Sequence, residues 1–399
     1  MSYDVNAVRQ HFPALAHGTA YFDGPGGSQV PDVVAEAVAA TMTSGISNRG
    51  TLTDAELRAE RAVGAARQAM ADLLGAQPAG VVFGRSMTAL TYEFAAALAR
   101  TWRPGDEIVL TLLDHDANVR PWEQAAASAG ATVRWASFDP ATGELPVDRI
   151  AGELSDRTRL VAVTAASNLL GTRPDIPAIA EAAHRVGARC YVDAVHAVPH
   201  LPVDLASSGA DFLVCSPYKF CGPHLGVLAA DPELLDRVHP DKLLPSPDTV
   251  PERFERGTLP YELLAGTTAA VDFLAGLAAG PGDRRTRLRA AMGLLEEHED
   301  RLRRRLETGL DATGAVTRYS RATRRTPTVL FSVAGHEPRE VARHLAQAGV
   351  NAPAGSFYAV GCARLLGLGD GGAVRAGIAP YTNESDVDRL VGAVAELAV

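Results

Sequence analysis

Cysteine is scarce in this chain: four among 399 residues, at Cys190, Cys215, Cys221 and Cys362. The opening stretch MSYDVNAVRQHF has no apolar core of the kind a secretion signal needs. Sparse cysteine and no export signal give the expectation of a cytoplasmic protein with reduced thiols. Long apolar runs are missing too, and none reaches the roughly 20 residues that span a bilayer. Positive charge is not in excess: Lys and Arg number 38 against 47 Asp and Glu, leaving −9. That balance argues against a nucleic acid or an anionic membrane as partner. The arginines at Arg284, Arg285 and Arg303 to Arg305 lie in helical, Glu-rich surroundings, which is the pattern of a solvated helix face. No Walker sequence and no G-x-G-x-x-G occurs, so neither a P-loop nor a dinucleotide fingerprint is present. Internal repeats and low-complexity segments are absent as well.

Hydrophobic residues make up 47% and charged residues 21%, the balance of a soluble globular protein with ample core. From about residue 80 to 230, short β-rich runs alternate with amphipathic helical stretches. The strand candidates are 80–84, 107–112, 132–136, 160–166, 190–194, 211–215 and 226–230. Several are apolar throughout, as strands covered on both faces must be. Such alternation predicts an α/β fold with a mostly parallel sheet of seven strands sandwiched by helices. A long helix is expected from about Asp283 to Leu310, followed by a small C-terminal α/β domain. The expected division is an N-terminal segment over 1–30 that joins the small domain and the active site, a large domain over 31–282 and a small domain over 283–399.

Ligands of such sheets bind where strands end and loops lead into helices. Asp193, in YVDAVH, ends an apolar strand, where a buried carboxylate needs a partner. A cationic ring nitrogen would serve, and so would the cap of a following helix. Lys219 follows the strand 211–215 and, in an apolar pocket, would attack carbonyls. Its stretch CSPYKFCGPH also offers Cys215, Cys221 and His224 as a metal knuckle. That C-x5-C-x2-H spacing matches no recognised zinc pattern, and a fourth ligand is missing nearby. Ser86, Met87 and Thr88 lie where a strand runs into a helix, a place for a phosphate or for a plain Ser cap. His115 follows the next strand, where it could stack on a planar ring or serve as a loop histidine. Asn168 follows another. One ligand uses all of these together: pyridoxal 5′-phosphate (PLP), which needs a Schiff-base lysine and an acid at its ring nitrogen.

On these residues the chain resembles the class V aminotransferase family of fold-type I PLP enzymes, in its cysteine desulfurase-like branch. The resemblance covers nearly the whole chain, with YFDGPGGSQ at 21–29 and SNRG at 47–50 as further landmarks. It implies that Lys219 forms the internal aldimine, that His115 stacks on the ring, and that Asp193 pairs with the ring nitrogen. Ser86, the Met87 backbone and Ser216 would hold the phosphate. Asn168 and His196 would lie near the ring hydroxyl, His196 standing where many relatives carry glutamine. Tyr218 would replace a histidine common in desulfurases. The stretch FERGT at 254–258 resembles a loop that crosses to a partner subunit, where Thr258 would touch the partner's phosphate. A homodimer with interfacial sites follows. Arg375 would clamp the α-carboxylate of a small amino-acid substrate.

One landmark departs from the family. Where desulfurases carry a mobile cysteine in a segment such as R-x-G-H-H-C-A, this chain reads PAGSFYA. Tyr358 stands at the cysteine position and Pro353 at the arginine position, and a tyrosine cannot accept a persulfide. Cys362, four residues on, stands either as a mobile nucleophile or as a small buried hydrophobe. Lys219, once freed, is the natural base for the α-proton, with His115 as helper. The expected chemistry is β-elimination of the C–S lyase or desulfurase type. The alternatives are transamination and epimerisation on the same scaffold, a scaffold protein that has lost activity, and, more remotely, a zinc-binding protein.

Overall fold

In the computed structural model, residues 3–278 and 280–397 are described. The seven expected strands all form and join one sheet. They are β1 (Val81–Gly84), β2 (Glu107–Thr111), β3 (Thr132–Ala136), β4 (Thr158–Thr164), β5 (Arg189–Asp193), β6 (Phe212–Cys215) and β7 (Gly226–Ala230). Their order across the sheet is β1-β7-β6-β5-β4-β2-β3. Only β7 runs against the rest, pairing antiparallel with both β1 and β6. Both faces of the sheet are covered. In β1 and β7, Val81, Phe83, Val227 and Ala229 face one apolar cluster, while Val82 and Leu228 face another. With both faces covered, apolar runs replace alternation. The exception is the edge strand β3, where Thr132, Arg134 and Trp135 are exposed. An edge has one neighbour and more water.

Helices close both faces. α1 (Asp54–Leu74), α3 (Tyr261–Gly276) and the start of α4 (Arg284–Ala312) cover one with Val63, Met70, Leu264, Leu274, Leu288 and Leu295. α2 (Met87–Ala99) covers the other with Leu90 and Phe94. The long helix begins where its cap lies: the Asp283 carboxylate accepts from Thr286 N at 2.8 Å. It buries Leu288, Leu295, Leu302, Leu306 and Leu310 along one stripe.

A small C-terminal domain follows, with β8 (Val316–Arg318), β9 (Thr328–Val333), β10 (Ala354–Gly355) and β11 (Ala373–Gly377) in the order β10-β11-β9-β8. Leu330 of β9 lies opposite Arg375 of β11. The N-terminal stretch joins this part of the molecule: Ala20–Tyr21 pairs in parallel with Val350–Asn351. The 236–260 region stays irregular, as its Pro and Gly content suggests, but it is tied to β1 by a buried fork. Arg67 donates to both Glu255 oxygens at 2.9 and 2.8 Å and to Val81 O at 2.6 Å. Glu255 also accepts from Phe83 N. Removing either partner would leave an unpaired buried charge.

Beside the site, glycine is required at Gly226. A Cβ there would sit 2.2 Å from the Ser86 carbonyl carbon and 2.6 Å from Met87 N. The antiparallel strand therefore passes directly beneath the start of α2. Gly226→Ala is expected to cost about 2–3 kcal/mol, at the upper end for overpacking, because backbone rather than a side-chain tip must move. A lowered urea midpoint at unchanged slope is the expected result; a midpoint equal to the parent's would show that the helix start shifts freely.

Candidate active site

Five strands of the sheet end at one cavity of about 260 Å³. After β1 come Met87 and Thr88, after β2 His115, after β4 Ala166 and Asn168. Asp193 ends β5, and Tyr218 and Lys219 follow β6. The opposite wall is Arg375 of β11 with Phe357 and Tyr358, and the N-terminal Pro25 and Gly26 complete it. This is the crevice that a doubly wound sheet offers to a ligand.

Lys219 lies in the turn Pro217–Lys219, and its Nζ donates to Pro25 O at 2.6 Å. Burial, then the Arg375 cation, pull its pKa down to about 7 against the opposing pull of Asp193. Asp193 is pushed up to about 6 by burial, although its Oδ1 accepts from Val195 N at 2.9 Å and Lys219 favours its charge. No helix starts at Asp193, so the helix-cap reading fails; the carboxylate closes a turn through Val195 N and lines the cavity. His115 Nδ1 accepts from Ala117 N at 3.0 Å, which leaves the neutral ring's proton on Nε2. Burial first, then Lys219 and Arg375, lower its pKa to about 4. The ring is neutral near pH 7.

Arg375 is 2% exposed. One terminal nitrogen donates to Asn168 O at 2.8 Å, and the Phe357 ring stands 3.7 Å over its guanidinium carbon. Burial lowers its pKa and Asp23 opposes this; a guanidinium keeps its charge near neutrality. Asn168 Nδ2 donates to Phe357 O at 2.9 Å. His196 Nε2 lies 2.8 Å from the Thr328 hydroxyl, and burial holds its pKa well below the usual value. Phe357 and Tyr358 both adopt left-handed backbone, with φ of 51° and 62°. Non-glycine residues pay about 1–3 kcal/mol each for that. The loop is held by the bond to Asn168, by Asp116 N donating to Tyr358 O at 2.8 Å, and by the Tyr358 ring stacked on His115 at 5.4 Å.

Three residues expected at the cofactor lie outside the cavity lining. Ser86 caps α2, its hydroxyl accepting from Ala89 N at 3.1 Å. Ser216 is buried in the turn before Lys219, and its hydroxyl has no partner. Thr258 is exposed. Cys215 and Cys221 are fully buried, whereas His224 is exposed and stacks on Tyr218 at 4.7 Å. Among the described residues no group of three or more His, Cys, Asp or Glu could hold a metal ion. Cys362 is fully buried in an apolar cluster, and burial pushes its thiol pKa up.

Sequence reasoning missed Phe357 and Asp114. Asp114 is buried, pushed up to about 7 by burial, and bonded to Thr111 and to Asn118 Nδ2, the latter at 2.7 Å. Its signal was available: a carboxylate at the end of an apolar strand, like Asp193. Pro25 and Gly26 lie in the segment expected to join the active site, though nothing local shows which of its residues meets residue 219.

The donor set fits a phosphorylated pyridine. Three buried polar atoms in or beside the cavity lack partners: the acceptor Asn168 Oδ1, the donor Arg375 Nε and the Ser216 hydroxyl. Buried polar groups are rarely left so. A ring hydroxyl, a carboxylate and a phosphate would satisfy them in turn.

The comparisons agree with this geometry. The family described as aminotransferase class-V matches residues 20–390. An uncharacterized protein of Mycobacterium tuberculosis is 36% identical over the full length of both chains. A cysteine desulfurase of Klebsiella pneumoniae is 31% identical over 98% of this chain and 97% of its own. The crystal structure of the Escherichia coli cysteine desulfurase CsdA superposes with a TM-score of 0.87 at 27% identity, covering 100% of this chain and 99% of that one. This chain is a cysteine desulfurase-like enzyme of the aminotransferase class-V family, whose members depend on PLP.

Proposed function

We propose that this enzyme binds PLP through Lys219 and eliminates a β-substituent from a small amino acid, in the manner of a C–S lyase, without a persulfide-bearing cysteine. The observation that carries the reading is the meeting of Lys219, Asp193 and Arg375 in one cavity whose mouth holds Tyr358, 72% exposed, and no thiol. All four cysteines are buried and free.

Bound there, the cofactor supplies an electron sink for charge at the substrate α-carbon. This chain's residues do the rest. Arg375 holds the carboxylate; with one nitrogen committed to Asn168 O, its Nε remains to receive an oxygen. Lys219, with a pKa near 7, can both take and return a proton at neutral pH. Asp193, raised to about 6, is poised to share a proton with a basic ring nitrogen. His115, kept neutral and oriented by Ala117 N, offers a flat face and an N–H. The first turn of α2, from Met87, offers backbone N–H groups to a phosphate, with the Ser86 and Ser216 hydroxyls beside it. Asn168 and His196 would face the ring hydroxyl, with Tyr218 beside Lys219.

A homodimer belongs to the same proposal. Thr258 is exposed, and so are Leu52, Leu244 and Tyr358 at 89%, 97% and 72%. Such side chains favour a covered surface. Thr258 would then reach the partner's phosphate. A cytoplasmic location suits the four unbridged thiols.

The purified protein is expected to be yellow, and borohydride should fix the cofactor to Lys219. Lys219→Ala should give no fixed adduct at unchanged circular dichroism; a colourless protein after added PLP sinks the reading. Attachment needs the uncharged amine, so its rate should rise with pH through about 7. Arg375→Ala removes a cation that lowers this pKa, so the midpoint should move up; an unmoved midpoint would refute that cause. With L-cysteine, pyruvate, ammonia and sulfide are expected in equal amounts, unchanged in Cys362→Ala. Alanine instead would mean desulfuration. A racemised substrate, or a keto acid that keeps the substituent, would mean epimerisation or transamination.

A further inference from the structure

The turn after β5 carries a second histidine, which no step above uses. His200 packs edge-on against His196 with 5.1 Å between ring centroids, and its Nδ1 lies 2.9 Å from Glu299 Oε2 of α4. His196, His200 and Glu299 are all buried, and Glu299 Oε1 has no partner. On their far side opens a second cavity of about 390 Å³, lined by His200, Glu299, Arg173, Arg325 and Thr326 among others. The turn is therefore pinned twice. His196 bonds to Thr328, which opens β9, the strand beside the one that carries Arg375. His200 bonds to the long helix.

A buried carboxylate–imidazole pair is a weak source of stability, because desolvation offsets the attraction and apolar residues of equal volume serve as well. What such a pair supplies is direction. A carboxylate can only accept when ionised, so it demands a proton on His200 Nδ1 and fixes that ring. The fixed ring abuts His196, whose Nε2 is taken by the Thr328 hydroxyl, leaving Nδ1 for other contacts. The charged and titratable groups facing His196 are His200 on its own turn, Lys219 after β6 and Arg375 of β11. Asp193 precedes it in the same turn, and Glu299 stands behind His200.

We propose that His200 and Glu299 are positioning residues that act through His196, holding its neutral ring in one tautomer against Thr328 so that one defined nitrogen serves the cavity. The role of that nitrogen rests on the reading that the cavity holds PLP; the tautomer itself does not.

The test uses the full-length protein with 15N-labelled histidine. His196 is assigned by the signal lost in His196→Gln, and its 15N shifts are followed against pH without cofactor. The parent should show one neutral tautomer. Glu299→Gln keeps volume and an acceptor but removes the charge and can donate. It should mix the tautomers, move the His196 protonation midpoint and raise the PLP dissociation constant about tenfold. Thr328→Val should do likewise, and Thr328→Ser should match the parent. If Glu299→Gln lowers the melting temperature but leaves tautomer, midpoint and PLP affinity unchanged, the pair is only a tether and the proposal falls. Should that variant fail to fold, the Thr328 pair decides: Val behaving as Ser overturns it. A protein with the expected tautomer that binds no PLP would refute the proposed function and leave this inference standing.

Discussion

A lysine amine that shares a small cavity with an arginine cannot hold its proton as a surface lysine does. Burial removes the water that would stabilise the ammonium, and Arg375 adds a second cation. Asp193 is the counterweight, and it is itself buried. Much of the site follows from this imbalance. His115 and His196 stay neutral for the same reasons, since each feels burial, Lys219 and Arg375. The cavity thus disfavours further protonation and welcomes an incoming carboxylate. Groups with pKa values drawn towards neutrality are what proton transfer at neutral pH requires.

The sheet was legible because its physics is local. Strands covered on both faces are apolar throughout, as several of the seven runs were, and all seven became strands of one sheet. Their carboxyl ends could be searched for chemistry, and Asp193, Lys219, His115 and Asn168 do meet there. The reversed strand β7 could not be foreseen, since an apolar five-residue run carries no direction. Nor could the particular residue of the N-terminal segment that meets Lys219, which is Pro25, 194 residues away along the chain. Ser86 illustrates a different limit. A serine at a strand–helix junction reads equally as a cap and as an anion contact, and the cap is present; a hydroxyl that accepts from Ala89 N still has its own proton to give.

The stretch around Tyr358 is tied to the fold beneath it at several points. Tyr358 lies over His115, Phe357 covers Arg375, and each backbone carbonyl is caught by a neighbour. Two consecutive left-handed residues are retained because these contacts offset their strain. A loop so held is a wall, whereas a loop that must carry a thiol to a substrate has to travel.

The start of α2 is laid down by main chain crossing main chain at Gly226. An alanine scan of the residues around it would trim side chains and find little, because the shape resides in atoms that every residue shares. Directed evolution that varies only cavity side chains would meet the same blindness. The informative position lies behind the wall, where any added carbon is too many.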